Sequence, residues 1–152
     1  MSTVSHDYPP RIQVLFCDGV RREEGGKMSI MGVYAQVLAF KEPTIVMPQF
    51  CVMFLVDLPE ALDTPTLKLS LLDRGQPLIA AEVMLKRSAA WPTALTHRQS
   101  AMLPLETMGF AASDGMVLQA RAVIDGVLDY TSDPLMVMSL PNEPGTAAPD
   151  SQ

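Results

Sequence analysis

Two cysteines, two histidines and one tryptophan in 152 residues leave few of the side chains on which most catalytic and metal centres are built. Cys17 and Cys51 lie 34 positions apart, and neither has a second Cys or a His at zinc-ligand spacing. Both are read as buried thiols rather than as redox or ligand residues. Of the histidines, His6 falls in a polar leader and His97 in a connection, so a His-rich metal centre is excluded and a Ser-His-Asp arrangement would rest on His97 alone. The chain has no Gly-x-Ser-x-Gly, no Gly-x-Gly-x-x-Gly and no Walker-type Gly-Lys-Ser/Thr. Aromatic residues are 6% of the sequence, too few for the exposed ring platforms that bind sugars or single-stranded nucleic acid, and Trp91 before Pro92 suits a cap on the core.

Basic charge is also scarce. Eleven Lys and Arg against seventeen Asp and Glu give a formal charge of −6, which repels a phosphate backbone, so nucleic acid is not an expected partner. No apolar run reaches the ~18 residues of a membrane-spanning helix, and Met1 to His6 does not read as a secretory signal, which makes the cytoplasm the expected location and a membrane no expected partner.

Apolar residues, 48% of the chain, and thirteen prolines are what the sequence has in quantity. A single domain of this length buries roughly two-thirds of its unfolded surface, so it needs no metal or disulfide scaffold. The prolines leave little room for long helices, and between them the apolar pattern has period two. Leu67, Leu69 and Leu71 form one inward face, Ile79, Ala81, Val83 and Leu85 another, and Met116, Leu118, Ala120, Ala122 and Ile124 a third. Ile12 to Cys17, Met28 to Phe40 and Leu135 to Leu140 supply further strands. Phe50 to Val56 is apolar on both faces and is expected to be central or covered twice, by a loop or another subunit. Thr96 to Met108 has a mixed pattern interrupted by Pro104.

These segments predict an all-β fold, a two-layer antiparallel β-sandwich of seven or eight strands. Residues 1–11 read as a flexible leader, 12–140 as the domain and 141–152 as a flexible, Pro-containing tail.

Gly25-Gly26 can supply the positive φ angles of a two-residue hairpin turn. That turn would place Glu24 opposite Lys27, Arg22 opposite Ser29, Val20 opposite Met31 and Cys17 opposite Tyr34. Asp18, Arg21, Arg22, Glu23 and Lys27 form the densest mixed-charge cluster in the chain. They are read either as a solvated hairpin that keeps an edge from pairing or as an interaction surface. The run Cys17-Asp18, Val20-Arg21, Glu23, Gly26-Lys27 and Ser29-Ile30-Met31-Gly32-Val33-Tyr34 resembles an uncharacterised family of small bacterial proteins, over about 18 positions. The resemblance implies a β-sandwich and no chemistry.

Asp57, Asp73, Asp114, Asp125, Asp129 and Asp133 lie near expected strand ends. They could gather into a calcium site in the loops, but Asp is favoured there by its bonds to nearby backbone N–H groups. Eleven methionines fill uneven gaps, yet Met84 and Leu72 fall on faces expected to be wet, which fits a subunit or partner interface. The expected role is therefore a non-enzymatic protein-interaction or assembly module without a cofactor, acting through a protein partner or a homo-oligomer. A calcium- or small-ligand-binding sandwich and a hydrolase using His97 are the alternatives.

Overall fold

A computed structural model describes residues 9–59, 62, 64–86 and 98–141, with the side chain of Arg98 outside the description. His6, Trp91, Pro92 and His97 lie outside the described residues, as do most of the expected leader and tail.

Two sheets face each other across one hydrophobic core. The first contains β1 (Arg11–Arg22), β2 (Met28–Tyr34), β4 (Thr44–Pro59) and β7 (Arg98–Ser113), in the order β2-β1-β4-β7. The second contains β3 (Val37–Phe40), β5 (Thr66–Asp73), β6 (Gln76–Met84), β8 (Val117–Ile124), β9 (Leu128–Thr131) and β10 (Leu135–Ser139). Its order is β3-β10-β8-β5-β6, with β9 also paired to β8. Pairing is antiparallel except for β3 with β10. The β-sandwich expected from the period-two pattern is thus the fold, and the described residues form ten strands where seven or eight were expected.

The inward faces read from the sequence meet here. Leu67, Leu69 and Leu71 of β5 pack with Leu118, Ala120, Ala122 and Ile124 of β8 and with Leu135 and Val137 of β10. They oppose Phe16 of β1 and Phe50, Val52, Phe54, Val56 and Leu58 of β4. Leu72 keeps its place on the outward side of β5, opposite Gln119 of β8, yet is buried; the irregularity beside it in the β5–β6 ladder passes over Leu78 of β6. Met84 remains 57% exposed.

β4 runs between β1 and β7, and Phe50, Cys51, Val52, Met53 and Phe54 are all fully buried. Consecutive residues of a strand point to opposite faces, so five buried in succession means cover on both sides.

Both long strands switch face at one corner. Met47 points into the core and so does Phe50, three positions on. Opposite them, Phe110 and Thr107 repeat the slip while the β4–β7 pairing stays in register. Pro48 lies at this corner in β4 and Gly109, at φ 66°, in β7. The left-handed conformation, which glycine reaches without a Cβ clash, lets the strand turn without breaking its ladder. The switch brings Phe110 against Phe50, with ring centroids 4.9 Å apart. Phe16 and Tyr34 close around the same ring at 6.3 Å each.

Pro104 sits within β7 opposite Met53. Proline cannot donate to a ladder and is tolerated on an edge strand. Among the described residues β7 pairs only with β4, which makes it such an edge.

Phe50→Ala removes the ring shared by Phe16, Tyr34 and Phe110 and should destabilise the protein by about 3–5 kcal/mol. Urea denaturation of both proteins checks this, with a loss under about 1 kcal/mol counting against the corner as a packing centre.

Candidate functional site

The charged hairpin is the first candidate. Its turn holds three residues, Glu24–Gly26, and not two. Gly25 and Gly26 take φ 74° and 73° as expected, but Glu24 joins them in the loop, and Glu23 N–H donates to Lys27 C=O at 2.9 Å. One extra loop residue moves the register by one. Arg21 therefore faces Ser29, Val20 faces Ile30 and Cys17 faces Val33, instead of the partners expected from a two-residue turn.

This register divides the charged cluster. Arg21 and Glu23 share one side, their charged groups 3.6 Å apart, and Ser29 Oγ donates to the Glu23 carboxylate. Asp18 lies on the other side of β1, where its carboxylate accepts a hydrogen bond from Tyr34 Oη. Arg22 and Lys27 are exposed near the tip. Exposed ion pairs of this kind contribute at most about 1 kcal/mol.

Asp18 also explains a glycine. Gly32 adopts φ 63°, and a Cβ there would collide with Asp18 Oδ2. Burial raises the Tyr34 phenol above its ordinary range, and the Asp18 carboxylate adds to the shift through its hydrogen bond and its charge. The Asp-…-Gly-x-Tyr part of the motif is thus a packing unit that anchors β2 to β1.

The strand-end aspartates are dispersed. Asp73 accepts from Val117 N–H at 3.0 Å and Asp114 from Ser139 N–H at 2.7 Å. Asp125 pairs with Lys68 at 3.1 Å, and Asp129 holds Arg121 through two hydrogen bonds of 2.9 and 2.7 Å. That bond to Arg121 keeps the Asp129 carboxyl below its usual range. Among the described residues no three His, Cys, Asp or Glu side chains come together as a metal site.

Within the core only Thr107 and Ser132 are buried polar residues among those described. Thr107 Oγ1 donates to Phe50 C=O, while Ser132 Oγ accepts from Ala120 N–H and donates to Asp133 C=O. Both hydroxyls serve backbone groups, the usual solution for polar atoms away from water.

The outer face of the β2-β1-β4-β7 sheet carries an arrangement that the sequence pattern did not reveal. Successive rows across it are Met31 beside Gly19, Val33–Cys17–Cys51–Glu106, Leu15–Met53–Pro104, Gln13–Leu55–Met102 and Arg11–Asp57–Ser100. Cys17, Cys51 and Met53 at its centre are fully buried. Around them Met31 is 44% exposed, Val33 53%, Met102 43% and Met108 80%. A depression of about 930 Å³ opens at the Arg11 end, lined in part by Gln13, Leu55, Asp57, Ser100 and Met102. The doubly apolar reading of Phe50 to Val56 was the one signal for this face. The missing part was β7, whose irregular pattern hid Met102 and Met108 as its outward residues.

No protein-family model matches the chain, and no curated protein matches it either.

Gly32→Ala should cost about 1–3 kcal/mol, from the left-handed backbone and the approach to Asp18. Combined with Asp18→Ala, part of that loss should return, so a double-mutant cycle by thermal denaturation should show coupling of about 0.5 kcal/mol or more. Strict additivity would separate Gly32 from Asp18.

Proposed function

We propose that this protein is a non-enzymatic assembly module that associates with a second copy of itself through the outer face of the β2-β1-β4-β7 sheet. The observation that carries this reading is the set of exposed apolar side chains on that face: Met31, Val33, Met102 and Met108 surround a centre that is itself apolar. Exposed apolar side chains grouped on one sheet face favour a contact region there, and thioethers adapt well to an apposed surface.

Charge favours a second copy as the occupant. The chain carries −6 overall, so two copies repel unless they meet where acids and bases balance. On this face Arg11 and Arg21 stand among Asp57, Glu106 and Glu23, so that bases of one copy can meet acids of the other across a two-fold axis. Among the described residues the two buried hydroxyls bond backbone groups, and the strand-end aspartates lie in separate turns. The resemblance of the first hairpin to an uncharacterised bacterial family adds no activity to this reading, and a cytoplasmic setting accords with it.

Light scattering coupled to size exclusion across a concentration series should give a mass of two or more chains. Met108→Lys should weaken association roughly tenfold or more, because one buried methionine contributes about 1.5–3 kcal/mol, while leaving Tm unchanged at concentrations where both proteins are single chains. A mass of one chain at every concentration would overturn the proposal.

A further inference from the structure

Cys17 and Cys51 are 34 positions apart in sequence but directly opposite each other in the β1–β4 ladder. Opposed residues of antiparallel strands have Cα atoms about 4.5–5.5 Å apart, within the roughly 4.4–6.8 Å over which a disulfide forms without moving the backbone. Cys17 Sγ already leans toward its partner, 3.5 Å from Cys51 C=O, and both thiols are fully buried.

Their position in the ladder matters as much as their spacing. Seven consecutive pairs join β1 to β4, from Arg11–Asp57 to Cys17–Cys51, and the cysteine pair is the last. Beyond it β1 continues to Arg22 paired with β2 alone, while β4 continues toward Thr44 paired with β7. The two thiols therefore sit in the fork where the β1–β4 ladder ends and β1 runs on paired with β2.

We propose that Cys17 and Cys51 form a reversible redox clasp, a cross-strand disulfide that fastens the hairpin to β4 at this fork. Oxidation breaks the two S–H bonds and forms one Sγ–Sγ bond. The two electrons and two protons pass to a peroxide, which leaves as two waters, or to a diazenedicarboxamide, which leaves as the hydrazine. A dithiol reductant reverses the step by thiol–disulfide exchange.

The surroundings set the timing. Burial raises both thiols above their ordinary range, Cys51 to about 12, and the neighbouring Glu106 carboxylate adds to each shift. The closed sheet thus keeps them as unreactive thiols. Reaction proceeds when the end of the β1–β4 ladder opens, since the terminal pair of a ladder opens before its interior pairs. Once formed, the bond closes a loop containing the hairpin, β3 and the first half of β4, and it stabilises the folded protein chiefly by restricting the unfolded chain.

The test treats the wild-type protein with hydrogen peroxide or diamide, followed by alkylation under denaturing conditions and non-reducing peptide mapping. The expected product is a Cys17–Cys51 bond within one chain and the mass loss of two hydrogen atoms. Tm should rise on the order of 5–10 °C and return with dithiothreitol. Hydrogen exchange over residues 18–34 should slow in the oxidised form. Cys17→Ala and Cys51→Ala should each remove the rise; because the wild-type map is decisive, neither variant has to be stable. Two alkylatable thiols after oxidation, sulfinate at either position, a link between chains, or an intramolecular bond that leaves Tm unchanged or lower would each overturn the proposal.

Discussion

One strand is asked to be apolar on both faces. Phe50, Val52 and Phe54 of β4 face the second sheet, while Cys51 and Met53 point the other way and are buried as deeply. A strand in a two-layer sandwich normally has one wet face, and its side chains alternate accordingly. β4 departs from that pattern in the stretch where β1 pairs with it on one side, from Cys51 to Asp57, and β7 on the other. Each fully buried Phe or Met contributes about 1.5–3 kcal/mol, so this strand concentrates much of the stabilisation in a few consecutive residues.

The arrangement around β4 links packing to the proposed roles. At one end the corner at Pro48 and Gly109 turns both strands inward and stacks Phe110 on Phe50. Near the same place the β1–β4 ladder ends at the cysteine pair; beyond it Asp18, Tyr34 and Gly32 hold the hairpin together, and Gln49 lies against Gly19. A hairpin secured by local contacts yet free of the main ladder beyond Cys17 is a natural place for a fastening that responds to oxidants. The apolar rim formed by Met31, Val33, Met102 and Met108 lies on the same outward face. The redox clasp and the docking face would therefore act on one surface.

Legibility in the sequence followed the regularity of each strand. β6, β8 and β5 as far as Leu71 alternate between a packed and a more open face, and their inward residues could be named from period alone. β7 could not, although it is one of the two longest strands. Its inward residues Leu103, Leu105 and Thr107 change parity to Phe110 and Ala112 across Gly109, and Pro104 reads as a breaker until its edge position is known. β9 is four residues long, too short to carry a period. The hairpin was visible in Gly25-Gly26, but its register depended on whether Glu24 belonged to a strand or to the turn, and that is decided by the hydrogen bond between Glu23 and Lys27. The cysteine pair was hidden for a related reason: register between β1 and β4 is a long-range property that no local spacing encodes.

Native-state hydrogen exchange resolved to single amides tests most directly whether β4 is the element on which the fold depends. Amides of Val52 to Phe54 should be the slowest in the protein and should exchange only through global unfolding, with a denaturant dependence matching that of complete unfolding. Faster exchange there than at Leu69 to Leu71 of β5, through an opening that leaves the second sheet intact, would contradict the account.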